Sequence, residues 1–140
     1  MATTTLRETA SPEETEALGE ALGRRMRKGD LVLLKGELGA GKTTFVRGVA
    51  RGCGSDALVA SPTFQLVRVY PGRVQLAHVD LYRMESAVEL RDMGLDELLD
   101  QGAVVVEWGD RIEDTDAALV SIQHLGGNHR SIQVTRDLRH

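Results

Sequence analysis

A chain of 140 residues is the length of one domain, and residues 1–140 read as a single unit with enough chain for one hydrophobic core. With 21 acidic against 17 basic residues it is mildly acidic, which excludes a nucleic-acid grip built on net charge alone. A single cysteine excludes an internal disulfide or a thiolate metal cage, no stretch is apolar for long enough to cross a bilayer, and the opening residues lack an apolar run before a small-residue cleavage site, so the expected location is the cytoplasm.

Thr3-Thr4-Thr5-Leu6 is β-branched and suits either an edge strand or a loose terminus. Ser11-Pro12-Glu13-Glu14 opens a helix, with Ser11 as N-cap, Pro12 in the first turn and Glu14 closing a capping box. Leu18, Ala21, Leu22 and Met26 continue along one face to a stop at Lys28-Gly29. Arg24, Arg25, Arg27 and Lys28 fall in the last turn, where the helix dipole favours cations. A solvated face accounts for them, and an RNA- or partner-facing patch is the sharper alternative.

Leu31-Val32-Leu33-Leu34 is a continuous apolar run of strand length, the mark of a central strand covered on both faces. Directly after it, Gly36-Glu37-Leu38-Gly39-Ala40-Gly41-Lys42-Thr43 fits the phosphate-loop pattern G-x-x-x-x-G-K-[ST] at every fixed position. A helix follows, carrying Phe45, Val46 and Val49 on one face and ending at Gly52-Cys53-Gly54. In that context the glycines let successive main-chain N–H groups point inward, and the helix N-terminus adds its partial positive charge. Such a cradle suits polyphosphate, with Lys42 reaching the β and γ phosphates and the Thr43 hydroxyl joining the shell of Mg²⁺.

Ser61-Pro62-Thr63-Phe64 is turn-like, and the arms Leu66–Tyr70 and Val74–Asp80 around Pro71-Gly72 predict an antiparallel hairpin. Asp80 closes the second arm, where phosphate-loop enzymes keep a metal-directed acid; a turn or N-cap aspartate is the plain alternative. His78 reads as a packed strand histidine rather than a base or ligand. Ser86–Leu90 and Gly94–Leu99 predict two short helices, and Ala103–Val106 a second buried strand ended by Glu107-Trp108-Gly109-Asp110-Arg111. Taken alone, Trp108 could be core packing, and Glu107 an exposed acid with Arg111 as its partner. Ala117–Leu125 and Ser131–Thr135 alternate around Gly126-Gly127-Asn128, a hairpin expected at the sheet edge and assigned to structure rather than chemistry. The fold class is α/β: a P-loop NTPase-like mixed β-sheet flanked by helices, with antiparallel hairpins and its ligand at the carboxyl ends of the strands.

Gly36 to Thr43, Ser61-Pro62-Thr63-Phe64, His78-Val79-Asp80-Leu81-Tyr82-Arg83 and Glu107-Trp108, in that order, resemble the TsaE (YjeE) family of small bacterial ATPases. The resemblance runs from the first capped helix through Trp108. It implies ATP and Mg²⁺ as cofactors and a part in making threonylcarbamoyladenosine next to the anticodon of tRNA. It also implies TsaD and TsaB as protein partners, whose assembly needs ATP hydrolysis to turn over repeatedly, with tRNA met only through that assembly and no membrane involved. Residue by residue, Glu37, Leu38, Gly39, Ala40, Gly41, Lys42, Thr43 and Thr44 would hold the nucleotide with Trp108 beside it. Thr43, Asp80 and Glu107 would serve the metal. Lys42, a switch-like Thr63 near the γ-phosphate, and Glu107 ordering the attacking water would be catalytic.

Two other classes compete. A small-molecule kinase would need an acceptor pocket and an arginine-bearing lid, for which 109–116 is the candidate segment. A nucleotide-dependent binding module would use ATP to order a partner surface, with hydrolysis incidental. A GTPase would need a downstream Asn-Lys-x-Asp signature, and the faint echo Arg27-Lys28-Gly29-Asp30 precedes the loop and lacks the Asn.

Overall fold

The structure is a computed structural model that describes residues 5–37, 41–56, 67–80, 94–107 and 117–138. Strand β1 (Thr5–Thr9) leads into helix α1 (Pro12–Arg25), strand β2 (Leu31–Gly36) into helix α2 (Lys42–Gly52). Strands β3 (Val67–Tyr70) and β4 (Leu76–Asp80) follow, then helix α3 (Leu95–Gln101), and strands β5 (Ala103–Glu107), β6 (Ala118–Gly126) and β7 (His129–Arg136). The turn around Thr63, the helix expected over 86–90 and the 109–116 segment lie outside the described residues, as do Leu38, Gly39, Ala40, Trp108 and Arg111.

The strands form one mixed sheet in the order β1-β7-β6-β2-β5-β4-β3. β2, β4, β5 and β6 run parallel to their neighbours in this set, while β3 and β7 are antiparallel additions. The hairpin of β3 and β4 forms around Pro71-Gly72 as expected, pairing Val67 with Val79 and Tyr70 with Leu76. The last hairpin departs from expectation in place. β6 is interior, paired in parallel with β2, and β1 closes that side of the sheet through β7. A hairpin pattern predicts its own two arms but not the strand its outer arm will join, because that choice is non-local.

Alternation divides the core. Val32, Leu34, Val105, Leu76, Val120 and Ile132 face α1 and α2, whereas Leu31, Leu33, Val104, Val106 and Val79 face the side of α3. The apolar runs of β2 and β5 are therefore buried on both faces, which is why they lack a polar stripe. On the first face α1 and α2 touch backbone to backbone. A Cβ on Gly48 would stand 1.9 Å from the Glu16 carbonyl oxygen, and one on Gly19 would stand 2.1 Å from that of Phe45. The spacing Gly19-x₃-Gly23 on one helix meets Gly48-x₃-Gly52 on the other, so each helix lays glycine against its neighbour's carbonyls.

The α1 start is capped as its sequence dictates, Ser11 Oγ accepting from the Glu14 N–H, with Glu14 returning a carboxylate to the Ala10 N–H. Its end comes earlier than Lys28-Gly29: Met26 is already extended, so only Arg24 and Arg25 lie in the last turn. Arg73, in the β3–β4 turn, explains how both helix ends are satisfied. Its guanidinium donates to the carbonyls of Gly23, Arg24 and Met26 at the end of α1 and of Gly52 at the end of α2.

Candidate nucleotide site

The phosphate loop leaves β2 at Gly36 and enters α2 at Lys42, with Gly41 as the N-cap in left-handed backbone at φ 105°. That conformation admits glycine and opens the first turn of the helix without a side chain over it. Lys42 is buried, and its ammonium donates to the carbonyl oxygens of Gly36 at 2.5 Å and Glu37 at 3.0 Å. The lysine thus lies back across the stem of its own loop, with its charge at the carboxyl end of β2.

Parallel register brings the acids to the same end. Glu107, the last residue of β5, sits opposite Leu34 of β2 on one side and Asp80, the last residue of β4, on the other. Neighbouring strands lie about 4.8 Å apart, so the two carboxylates leave adjacent strand ends on the face that carries α2. Both are buried, Asp80 at 6% and Glu107 at 4% exposure. Glu107 is therefore not the exposed acid of the plain alternative. Its partner is His78, whose Nε2 lies 2.5 Å from Oε2.

His78 is packed in β4, as expected, and the structure adds the bond to Glu107 that spacing along the chain does not reveal. The signal was present as parity: His78 and Asp80 are two apart on one strand and share a face, and Glu107 ends the strand alongside. A second residue that sequence reasoning passed over is Arg130. It alternates with Ile132 and Val134 on the face of α1 and α2, and a Cβ built on Gly41 would meet its Nε at 3.2 Å. The guanidinium is steadied by the carbonyls of Gly127 and His129 at the hairpin tip. Gly41, Thr44, Thr15, Pro12, Asn128 and Arg130 line one small cleft. The last hairpin accordingly delivers a cation to the phosphate loop, a correction to its assignment as structure alone.

The donors fit a hard divalent cation. Thr43, Asp80 and Glu107 offer oxygen only, and the imidazole nearby is engaged with Glu107. Among the described residues no three His, Cys, Asp or Glu side chains gather to hold a metal by themselves.

The family model described as "Threonylcarbamoyl adenosine biosynthesis protein TsaE" matches residues 9–136. The tRNA threonylcarbamoyladenosine biosynthesis protein TsaE of Bacillus subtilis is 41% identical over 132 residues, 91% of this chain and 82% of that protein. Its counterpart in Treponema pallidum is 38% identical over 128 residues, 89% of this chain and 95% of that one. The crystal structure of Bacillus subtilis YdiB superposes with a TM-score of 0.78 at 34% identity, covering 98% of this chain and 88% of that one. No helix among the described residues is long and apolar enough to cross a membrane. With a family model matched over residues 9–136, relatives of that family similar over most of their length and a shared fold, the chain belongs to the TsaE family of tRNA threonylcarbamoyladenosine biosynthesis proteins.

Proposed function

We propose that the chain is an ATPase that binds ATP with Mg²⁺ and drives turnover of a TsaD–TsaB assembly in threonylcarbamoyladenosine synthesis, in the cytoplasm and away from any membrane. One observation carries the reading: the loop stem with Lys42 and the acids Asp80 and Glu107 occupy the carboxyl ends of three adjacent parallel strands. A triphosphate laid in the main-chain cradle would have its terminal phosphate toward Asp80 and Glu107 and its nucleoside end toward Thr44 and Arg130. Glu37, Leu38, Gly39, Ala40, Gly41, Lys42, Thr43 and Thr44 would hold it, with Trp108 beside it and Thr63 near the γ-phosphate.

Thr43, Asp80 and Glu107 would hold Mg²⁺, which neutralises charge on the phosphates. Lys42 would exchange its two loop carbonyls for phosphate oxygens, and Glu107 would orient water for in-line attack. tRNA would be met only through the assembly. The test is hydrolysis of ATP–Mg²⁺ by the full chain with and without TsaD and TsaB. Lys42→Ala is expected to lose nucleotide binding and turnover together. Glu107→Ala is expected to retain ATP while hydrolysing it at least about 100-fold more slowly. Normal hydrolysis by Glu107→Ala removes that residue from the mechanism, and transfer of phosphate to a metabolite instead of water would replace the ATPase with a kinase.

A further inference from the structure

His78 has 0% exposure, on the sheet face that packs against α1 and α2, between Leu76 and Asp80 along β4 and beside Val105 of β5. Its ring leans on Tyr70, with centroids 6.2 Å apart and planes tilted by 34°. Of its two nitrogens, Nε2 meets Glu107 Oε2, and Nδ1 has no hydrogen-bond partner among the described residues. An N–H buried without an acceptor costs more than an under-used lone pair, so the proton belongs on Nε2 and Nδ1 is the bare nitrogen. The bond then runs in one direction, Nε2–H donating to the carboxylate.

We propose that His78 is a positioning residue for Glu107: by donating Nε2–H to Oε2 it fixes the carboxylate at the end of β5, leaving Oε1 for the water or metal of the nucleotide site. This rests on the ATPase reading above. A strand-end glutamate has three side-chain torsions to order, and a single donor from the neighbouring strand removes that freedom at the atom where orientation matters. The same arrangement, an imidazole or carboxylate behind the group that does the chemistry, recurs wherever a reactive side chain must be held in one rotamer.

Glutamine and asparagine at position 78 separate positioning from packing. Both are uncharged amides, but glutamine places its N–H where Nε2 stands, and asparagine stops short of it. With TsaD and TsaB present, His78→Gln is expected to keep kcat for ATP hydrolysis within about 3-fold of the parent. His78→Asn is expected to lower kcat about 30-fold, with KM for ATP moving less than about 3-fold in either variant. Full activity in His78→Asn, or equal losses in the two variants, would overturn the proposal. Absence of hydrolysis in the parent protein would instead sink the ATPase reading. A readout on the folded parent stands apart from both: in ¹⁵N-histidine-labelled protein, long-range ¹H–¹⁵N spectra should show His78 protonated at Nε2 and bare at Nδ1, with the Nε2 proton moving in Glu107→Gln. A His78 proton on Nδ1 overturns the inference whatever the kinetics.

Discussion

Replacing Gly48 with alanine tests the contact that seats the helix following the phosphate loop against α1. The added methyl would lie 1.9 Å from the Glu16 carbonyl oxygen and 2.8 Å from the Glu20 nitrogen, both main-chain atoms that cannot turn aside. A carbon and an oxygen settle at about 3.3 Å, so α1 and α2 must part by about 1.4 Å at this crossing. A gap of that size forfeits at least half of the dispersion energy along the seam, which we put at about 3 kcal/mol. Helix propensity works the other way, favouring alanine over glycine by about 1 kcal/mol. The net loss of about 2 kcal/mol corresponds to a fall in Tm of about 7 °C for a domain of this size. Thermal unfolding followed by circular dichroism gives the number, and the sign alone is decisive: a Tm at or above that of the parent would mean that the helices are not in backbone contact. Gly29→Asn is the companion, since Gly29 has φ 93° but nothing within 4 Å of a Cβ, so only the backbone preference is charged. Because α2 opens at Lys42, the same displacement should weaken ATP–Mg²⁺ binding well below Tm, whereas Gly29→Asn should leave it alone.

Arg130→Ala should weaken ATP and ADP equally, by about tenfold, because the guanidinium stands at Gly41 and Thr44 rather than at the strand ends; calorimetric titration with both nucleotides checks this, and unchanged affinities would remove Arg130 from the site. Arg73→Met keeps much of the apolar stem but removes the guanidinium that four helix-end carbonyls share, and a loss of about 2 kcal/mol in urea unfolding is expected. Burial pushes the Cys53 thiol up from 9.0 to about 11, with Arg73 pulling it down and Asp30 adding to the rise. Between those two values the unfolded chain gives up a proton that the folded one keeps, so stability should fall as pH rises through that window. Cys53→Ala, unfolded in parallel at pH 8 to 11, should lack that part of the fall.

How much of this could be read from the chain depends on whether the determining contact is local. The phosphate loop was legible because its physics is contiguous: an apolar strand, a turn that needs glycine, and a helix N-terminus follow one another within Leu31 to Val49. Asp80 and Glu107 were legible one at a time as strand-end acids, and the parallel pairing of β4 with β5 makes them neighbours. The bond from His78 to Glu107 and the place of Arg130 beside the loop were not legible, because both come from register between strands that are distant in sequence. His78 reaches an acid 29 residues on, and Arg130 reaches a loop that ends almost ninety residues earlier. The Gly-x₃-Gly spacings on α1 and α2 were open to inspection, but a glycine in a helix is equally a weak point until its facing carbonyl is known.

The placement of β6 beside β2 is what joins these pieces. Had the last hairpin added to the outer edge beyond β3, its tip would lie across the sheet from Gly41, and Arg130 could not reach the loop. Instead β2 has an acid-bearing strand on one side and a cation-bearing hairpin on the other, so the cradle between them is flanked by opposite charges. A triphosphate carries most of its charge at its terminal phosphate and needs divalent help there, while the single charge of the phosphate next to the nucleoside suits a fixed guanidinium. Swapping the charges should therefore fail asymmetrically. Arg130→Glu is expected to weaken nucleotide binding more than Arg130→Ala does at low salt, and the difference between the two should shrink as ionic strength screens the site. A difference that persists undiminished at high salt would mean that Arg130 acts through packing of the hairpin tip and not through its charge.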